Sequence, residues 1–196
     1  MIEDISVEAG AAPRQRILQA AQRLFYRDGI RATGTNALIA EAGVTKVTFY
    51  RHFASKDALV EAFLEARHAR WLDWFVQALA RHGGSPKAIA PAVGEWLAGP
   101  GFRGCAFLNS VGEYGQALDS VNRRTRTHKQ QMIAALAGCL RANDRAGEAT
   151  ARQIALAIDG AIMRVQSGEE AEGVTADLQA LIQCLAGDAP ENDRYP

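Results

Sequence analysis

Between Asn36 and Phe53 the chain reads NALIAEAGVTKVTFYRHF. Leu38, Ile39 and Ala42 recur at helical spacing and give the first half an apolar face. Gly43 follows where that helix has to stop. A C-terminal cap residue usually needs positive φ, which glycine adopts without steric cost. Thr45 then has the hydroxyl to cap a second helix, and Val44 fits the angle between the two. Val47, Phe49, Tyr50 and Phe53 offer more apolar and aromatic surface than one core can bury, so part of it lies at an interface. The expectation is two short helices held at a fixed angle by a tight turn.

Such pairs are common in all-α proteins with no nucleic-acid role, so the surroundings have to be weighed. The second helix carries Thr45, Lys46, Thr48, Tyr50, Arg51 and His52, with no acid between Glu41 and Asp57. An amphipathic helix precedes the pair, with Ile17, Leu18, Ala21, Leu24 and Phe25 on one face. Lys56 stands directly behind Ser55, a further helix cap.

With these residues in view, the segment from Arg14 to about Leu64 resembles the DNA-binding domain of the TetR family of bacterial transcription regulators. The similarity runs through RQRILQAAQRLFYRDGI and LIAEAGVTKVTFYRHFASKDALV, and above all through AGV-x-K-x-T-x-Y-x-H-F-x-SK-x-x-L. RGCAFLNSVGEY, Arg103–Tyr114, resembles a motif of one branch of the same family. The resemblance implies an all-α fold: an N-terminal three-helix helix-turn-helix DNA-binding domain over 13–60 and a C-terminal helical ligand-binding and dimerisation domain over 61–188. Residues 1–12 and 189–196 read as tails, the first disordered.

Composition narrows the function classes. No run approaches the roughly 18 uninterrupted apolar residues of a membrane span. The opening MIEDISVEAGAAP is acidic and lacks a basic-then-apolar export pattern, so a cytoplasmic protein with no membrane partner is expected. Cys105, Cys139 and Cys184 are widely spaced, without a CxxC pair or Cys/His cluster, so no metal and no cofactor are expected. Cys105, just past basic Arg103, is either a small core residue or a redox-sensitive thiol. The chain's net charge is zero, yet residues 13–60 hold eight Lys/Arg against three acids. Positive charge therefore collects where the helix-turn-helix lies, as an electrostatic DNA footprint requires.

Helix after helix follows. One apolar-periodic stretch runs from Lys56 to about Ala80 and ends at His82-Gly-Gly-Ser-Pro86. Further helices are predicted near Pro86–Ala98, Cys105–Gly115, Leu118–Arg141, Ala149–Gln166 and Ala176–Leu185, and no segment alternates like a strand. Ile154, Leu156, Ala157, Ile158, Ala161, Ile162 and Val165 cover too broad an arc for a surface helix. With Leu178, Leu181, Ile182 and Leu185 they form either ordinary core or, as the family implies, a four-helix homodimer interface.

DNA contacts are expected as follows. Thr45, Thr48, Tyr50, His52 and Lys56 reach the sugar-phosphate backbone and set register. Lys46 and Arg51 donate to guanine, Val47 touches a thymine methyl, and Asn36 reads adenine. Thr35 caps its helix or contacts phosphate; Tyr50 is otherwise a packing residue, and His52 otherwise caps carbonyls. The family often has serine or threonine at Gly34 and arginine at Asn36, so this chain departs there in phosphate grip and base preference. A two-fold dimer demands an inverted-repeat operator on double-stranded DNA.

The roughly 130 residues beyond are more than dimerisation needs. By resemblance they bind a small effector that releases DNA from a repressor, with the Lys56–Ala80 stretch as lever. Effector-pocket candidates are Trp71, Trp74, Phe75, Trp96, Phe102, Phe107, Asn109, Glu113, His128 and Met132, aromatic walls with a few polar groups. The same aromatics also fit plain core, and Asn109 and Glu113 either point inward or satisfy a helix end. One rival is a DNA-binding adaptor whose C-terminal domain docks a protein and takes no effector. An enzyme is the other rival: His128 with Glu113 could pair as acid and base, but no nucleophile, phosphate loop or metal motif accompanies them.

Overall fold

A computed structural model describes residues 10–140 and 145–187; residues 1–9 and 189–196 of the expected tails lie outside that range. All regular structure among the described residues is helical, as expected. The helices are α1 (Pro13–Asp28), α2 (Thr35–Ala42), α3 (Lys46–His52), α4 (Lys56–Arg81), α5 (Ile89–Leu97), α6 (Ala106–Tyr114), α7 (Asp119–Cys139), α8 (Arg145–Gln166) and α9 (Ala171–Ala186). A 3₁₀ turn at Pro86–Ala88 leads into α5. The chain forms two compact units. One comprises the described residues up to Trp71 with Cys105–His128; the other comprises Leu72–Gly104 with the described residues from Lys129 onward.

In the first unit, α1 packs on α2 and α3. Pro13 opens α1, where its missing N–H is no loss. Ile17, Ala20, Ala21, Leu24 and Phe25 form its buried stripe at i, i+3, i+4, i+7 and i+8. Leu38 of α2 and Phe49 of α3 are fully covered, and each such side chain contributes about 1.5–3 kcal/mol by leaving water. Phe25 meets Phe63 of α4 edge to face at 5.4 Å, which ties α1 to α4. The guanidinium of Arg67, itself buried, lies 4.2 Å from the Tyr26 ring centroid.

In the second unit, α9 packs against both α5 and α8. Ile89, Val93, Trp96 and Leu97 of α5 lie in its core with Ile154, Ile158 and Ile162 of α8 and Val174, Leu178 and Ile182 of α9. α5 and α9 approach closely at Gly94, where a Cβ would stand 2.9 Å from Thr175 Cγ2. Lys129 of α7 pairs with Asp159 of α8, both largely shielded from water.

Two helices are longer than expected. α9 begins at Ala171 and not near Ala176: Gly173 argues against a helix, but it falls in the first turn, whose N–H groups have no intrahelical partner in any case. α8 begins at Arg145 and not near Ala149, reading through Gly147. Pro86–Ala98 splits into the 3₁₀ turn and α5.

Candidate nucleic-acid interface

The turn between α2 and α3 is built as its residue types require. Gly43 closes α2 at φ 60, ψ 40, in the left-handed region. Its N–H donates to the Ala40 carbonyl at 3.1 Å and that of Val44 to Ile39 at 3.2 Å, so the last carbonyls of α2 are satisfied. From α1, Arg16 Nη2 donates to the Gly43 carbonyl at 3.1 Å. Thr45 then caps α3, its Oγ1 accepting the Thr48 N–H at 3.1 Å and lying 2.9 Å from the Thr48 hydroxyl. Ser55 does the same for α4, accepting from Ala58 N–H at 3.1 Å. Thr35 is not a cap. The Leu38 N–H bonds to the Gly34 carbonyl, which makes Gly34 the capping position, and Gly34 has no side chain to bond.

Because Phe49 is wholly buried, the opposite face of α3 must point outward. Thr45, Lys46, Arg51 and His52 are all exposed, with Val47 at 69% exposure and Tyr50 at 43%. Tyr50 packs its ring edge to face with Phe49 at 5.2 Å while much of it remains accessible. Asn36 is exposed and Thr35 half-buried on the first turn of α2. Lys56 is placed differently from the other cations. It is half-buried, with its ammonium 5.8 Å from the Tyr114 ring centroid. Burial lowers its pKa, opposed by the charges of Asp57 and Glu113.

The structure redistributes the positive charge of residues 13–60. Arg16 holds the turn, Arg23 pairs with Glu41, and Arg27 forks onto Asp28 with two bonds of 2.7 Å. Arg31 binds Glu113, and the Arg14 guanidinium lies 5.1 Å from the Phe53 ring centroid. Arg14, Arg16 and Arg23 of α1 therefore brace the helix-turn-helix, and α3 presents Lys46 and Arg51 outward.

A scaffold that frames one exposed helix in this way has known counterparts. The fold matches the crystal structure of a TetR-family transcriptional regulator from Streptomyces coelicolor, 30% identical, over 91% of this chain and 96% of that one, with a TM-score of 0.78. The chain belongs to the TetR family. Residues 17–63 match the family model described as bacterial regulatory proteins, tetR family, so α1 to α3 are the family's helix-turn-helix. A second TetR-type structure, from Streptomyces avermitilis, is 29% identical over 90% of this chain and 99% of its own, with a TM-score of 0.72. Among curated proteins, the HTH-type transcriptional regulator TtgR of Pseudomonas putida is 45% identical over 62 residues. That match spans 31% of this chain and 29% of TtgR. The protein is a TetR-family transcriptional regulator and not an enzyme.

TetR resemblance offered little to locate effector contacts, and the structure shows where the candidates stand. In the first unit Phe107 stacks on the buried His128 at 3.8 Å between centroids, and Trp71 meets the same ring at 4.9 Å. His68 completes this cluster, its Nδ1 3.1 Å from His128 Nδ1. His68 is not among the sequence candidates; its i, i+3 spacing to Trp71 is the one local signal that points to it. Asn109 is half-buried on α6. Glu113 is turned to the loop after α1, satisfying backbone and not lining this cluster. In the second unit Trp96 meets Phe102 at 5.4 Å, Trp74 lies 6.4 Å from Phe75, and Met132 is buried. Cys105 is buried as well, the environment of a small core residue. Among the described residues no helix is long and apolar enough to cross a membrane, and no cluster of metal-binding side chains occurs.

Proposed function

We propose that this chain is a cytoplasmic repressor that holds an inverted-repeat operator as a homodimer and releases it when a small molecule binds. Residues 13–60 are the reading domain and 61–188 the effector-binding and dimerisation domain. The observation that carries the proposal is the outward face of α3, where Lys46, Val47 and Arg51 stand clear of the core that Phe49 fills. Lys46 and Arg51 suit guanine edges and Val47 a thymine methyl, with Asn36 beside them for adenine. Thr35, Thr45, Thr48, Tyr50, His52 and Lys56 hold the sugar-phosphate backbone.

Dimerisation is supported by apolar residues that the fold leaves uncovered. Leu156 at 73% exposure and Met163 at 58% flank Gly160 on one face of α8, and Leu181 of α9 is 46% exposed. Gly160, Ala157 and Ala161 line a groove with Val174, Leu178 and Leu181, rimmed by the Arg164–Asp177 ion pair. Small residues beneath exposed large ones suit close approach by a second copy's helices. Release requires an effector with greater affinity for the conformation that fits DNA poorly; typical couplings of about 1–3 kcal/mol loosen binding about 5–150-fold.

The test selects bound sequences from a random DNA pool with the full chain, followed by competition against scrambled duplex. Recovery of a palindrome bound at least about tenfold more tightly supports the reading. Equal retention of palindrome and scramble at low salt ends it. A thermal-shift screen then separates the sensor from the adaptor: a small molecule that stabilises the protein and frees the operator excludes the adaptor.

A further inference from the structure

We propose that Glu113 and Tyr114, at the end of α6, are positioning residues for DNA reading: they latch the helix-turn-helix in the orientation that fits the operator. The proposal rests on the regulatory reading above. Glu113 holds the loop between α1 and α2 twice. Its Oε2 accepts the backbone N–H of Arg31 at 2.9 Å, and its carbonyl accepts a bond from Arg31 Nε. The carboxylate sits in a space that only glycine leaves: a Cβ on Gly29 would lie 2.8 Å from both oxygens, and φ there is +89. Thr33 Oγ1 donates to the Gly29 carbonyl at 2.7 Å, so the gripped loop is itself fastened to the end of α1.

Tyr114 grips the other side of the reading head. Its hydroxyl donates to Asp57 Oδ1 at 3.0 Å in the first turn of α4, and Lys56 lies over its ring. Burial and the neighbouring Asp57 carboxylate push the phenol above its ordinary range, so it remains the donor. Asn122 Nδ2, bonding the Gly115 carbonyl at 2.9 Å, steadies the end of α6 beneath both grips.

The two anchor points, Arg31 and Asp57, bracket α2 and α3 in the chain. Two adjacent residues thus fix both ends of the recognition pair, and turning it relative to α6 breaks both sets of bonds. Solvent-facing polar contacts of this kind contribute little to stability, so their effect is expected in orientation.

The experiment uses the full chain with Glu113→Ala, Glu113→Gln and Tyr114→Phe, each titrated on the selected operator and on copies with the half-site spacing lengthened by one or two base pairs. Melting midpoints are measured in parallel. The expected result is about a tenfold loss on the native spacing for Glu113→Ala and Tyr114→Phe, the effect of losing one charge-assisted hydrogen bond. Their preference for the native spacing flattens, and Glu113→Gln, which keeps an acceptor in place, retains most of the affinity. Unchanged affinity and spacing preference overturn the latch. So does a loss equal on all spacings that follows the melting midpoint, which marks a merely structural role. Tyr114→Phe removes one oxygen only and decides the question if Glu113→Ala fails to fold. A wild-type chain that ignores the operator removes the regulatory reading and the latch with it, a result distinct from variants that behave like wild type.

Discussion

Replacing Gly43 by alanine isolates the conformational cost of the turn. A left-handed backbone costs an L-residue with a Cβ roughly 1–2 kcal/mol. No clash adds to this, because the nearest atom to a Cβ at Gly43 is Arg16 Nη1 at 3.9 Å. Alanine also stiffens the unfolded chain, which offsets about 0.4–1 kcal/mol. The net is a destabilisation of about 1 kcal/mol, and for a chain of this size that lowers the melting midpoint by about 2–4 °C. Asparagine tolerates the left-handed region better, so Gly43→Asn falls between alanine and wild type. The Arg16 bond to the carbonyl of residue 43 is available to all three. Melting followed by circular dichroism at one protein concentration reads the order directly. An alanine variant that melts with wild type, or an asparagine variant as low as alanine, refutes the argument that the turn depends on backbone freedom at this position.

Lys46→Ala and Arg51→Ala are each expected to cost about 1–3 kcal/mol on the operator and to relax base preference at one position; Lys56→Ala weakens operator and random duplex alike and reduces the salt slope by about one. Competition titrations at several salt concentrations distinguish the two classes, and equal losses on both DNAs for all three variants refute the division. Gly94→Ala destabilises the fold despite alanine's better helix propensity of about 1 kcal/mol, because its Cβ meets Thr175 Cγ2 at 2.9 Å. In a Thr175→Ala background the same change becomes stabilising, and a denaturation cycle that shows no coupling rules this out. Cys139 and Cys105 are buried, and burial pushes the Cys139 thiol above its ordinary range. Both should therefore react with a thiol reagent only on unfolding, whereas rapid labelling of either in the native chain contradicts the packing described.

The reading unit was legible because its information is local. Gly43 and Thr45 announce a turn and a cap from within a few residues of themselves, and both take those roles. The alternation of apolar positions on α1 likewise points to its buried stripe. The misreadings are tertiary. Counting cations over 13–60 gives their number but not their distribution, since Arg23 meets Glu41 and Arg31 meets Glu113 only after folding. Glu113 and Asn109, four residues apart on α6, look alike in sequence, yet Glu113 lies at the helix end, where a backbone N–H from 82 residues away takes its carboxylate. His68 escaped notice because its partner, His128, is 60 residues distant. Thr35 looked like a cap by residue type, and one hydrogen bond moves that role to Gly34.

The contacts that Arg14, Arg16 and Arg23 of α1 make within their own domain have a consequence for how the molecule would find its target. A chain of zero net charge whose basic side chains mostly brace their own domain has few left to grip arbitrary duplex. On the proposed reading, its stay on any unrelated duplex is expected to be brief, with discrimination falling to a handful of groups on one seven-residue helix.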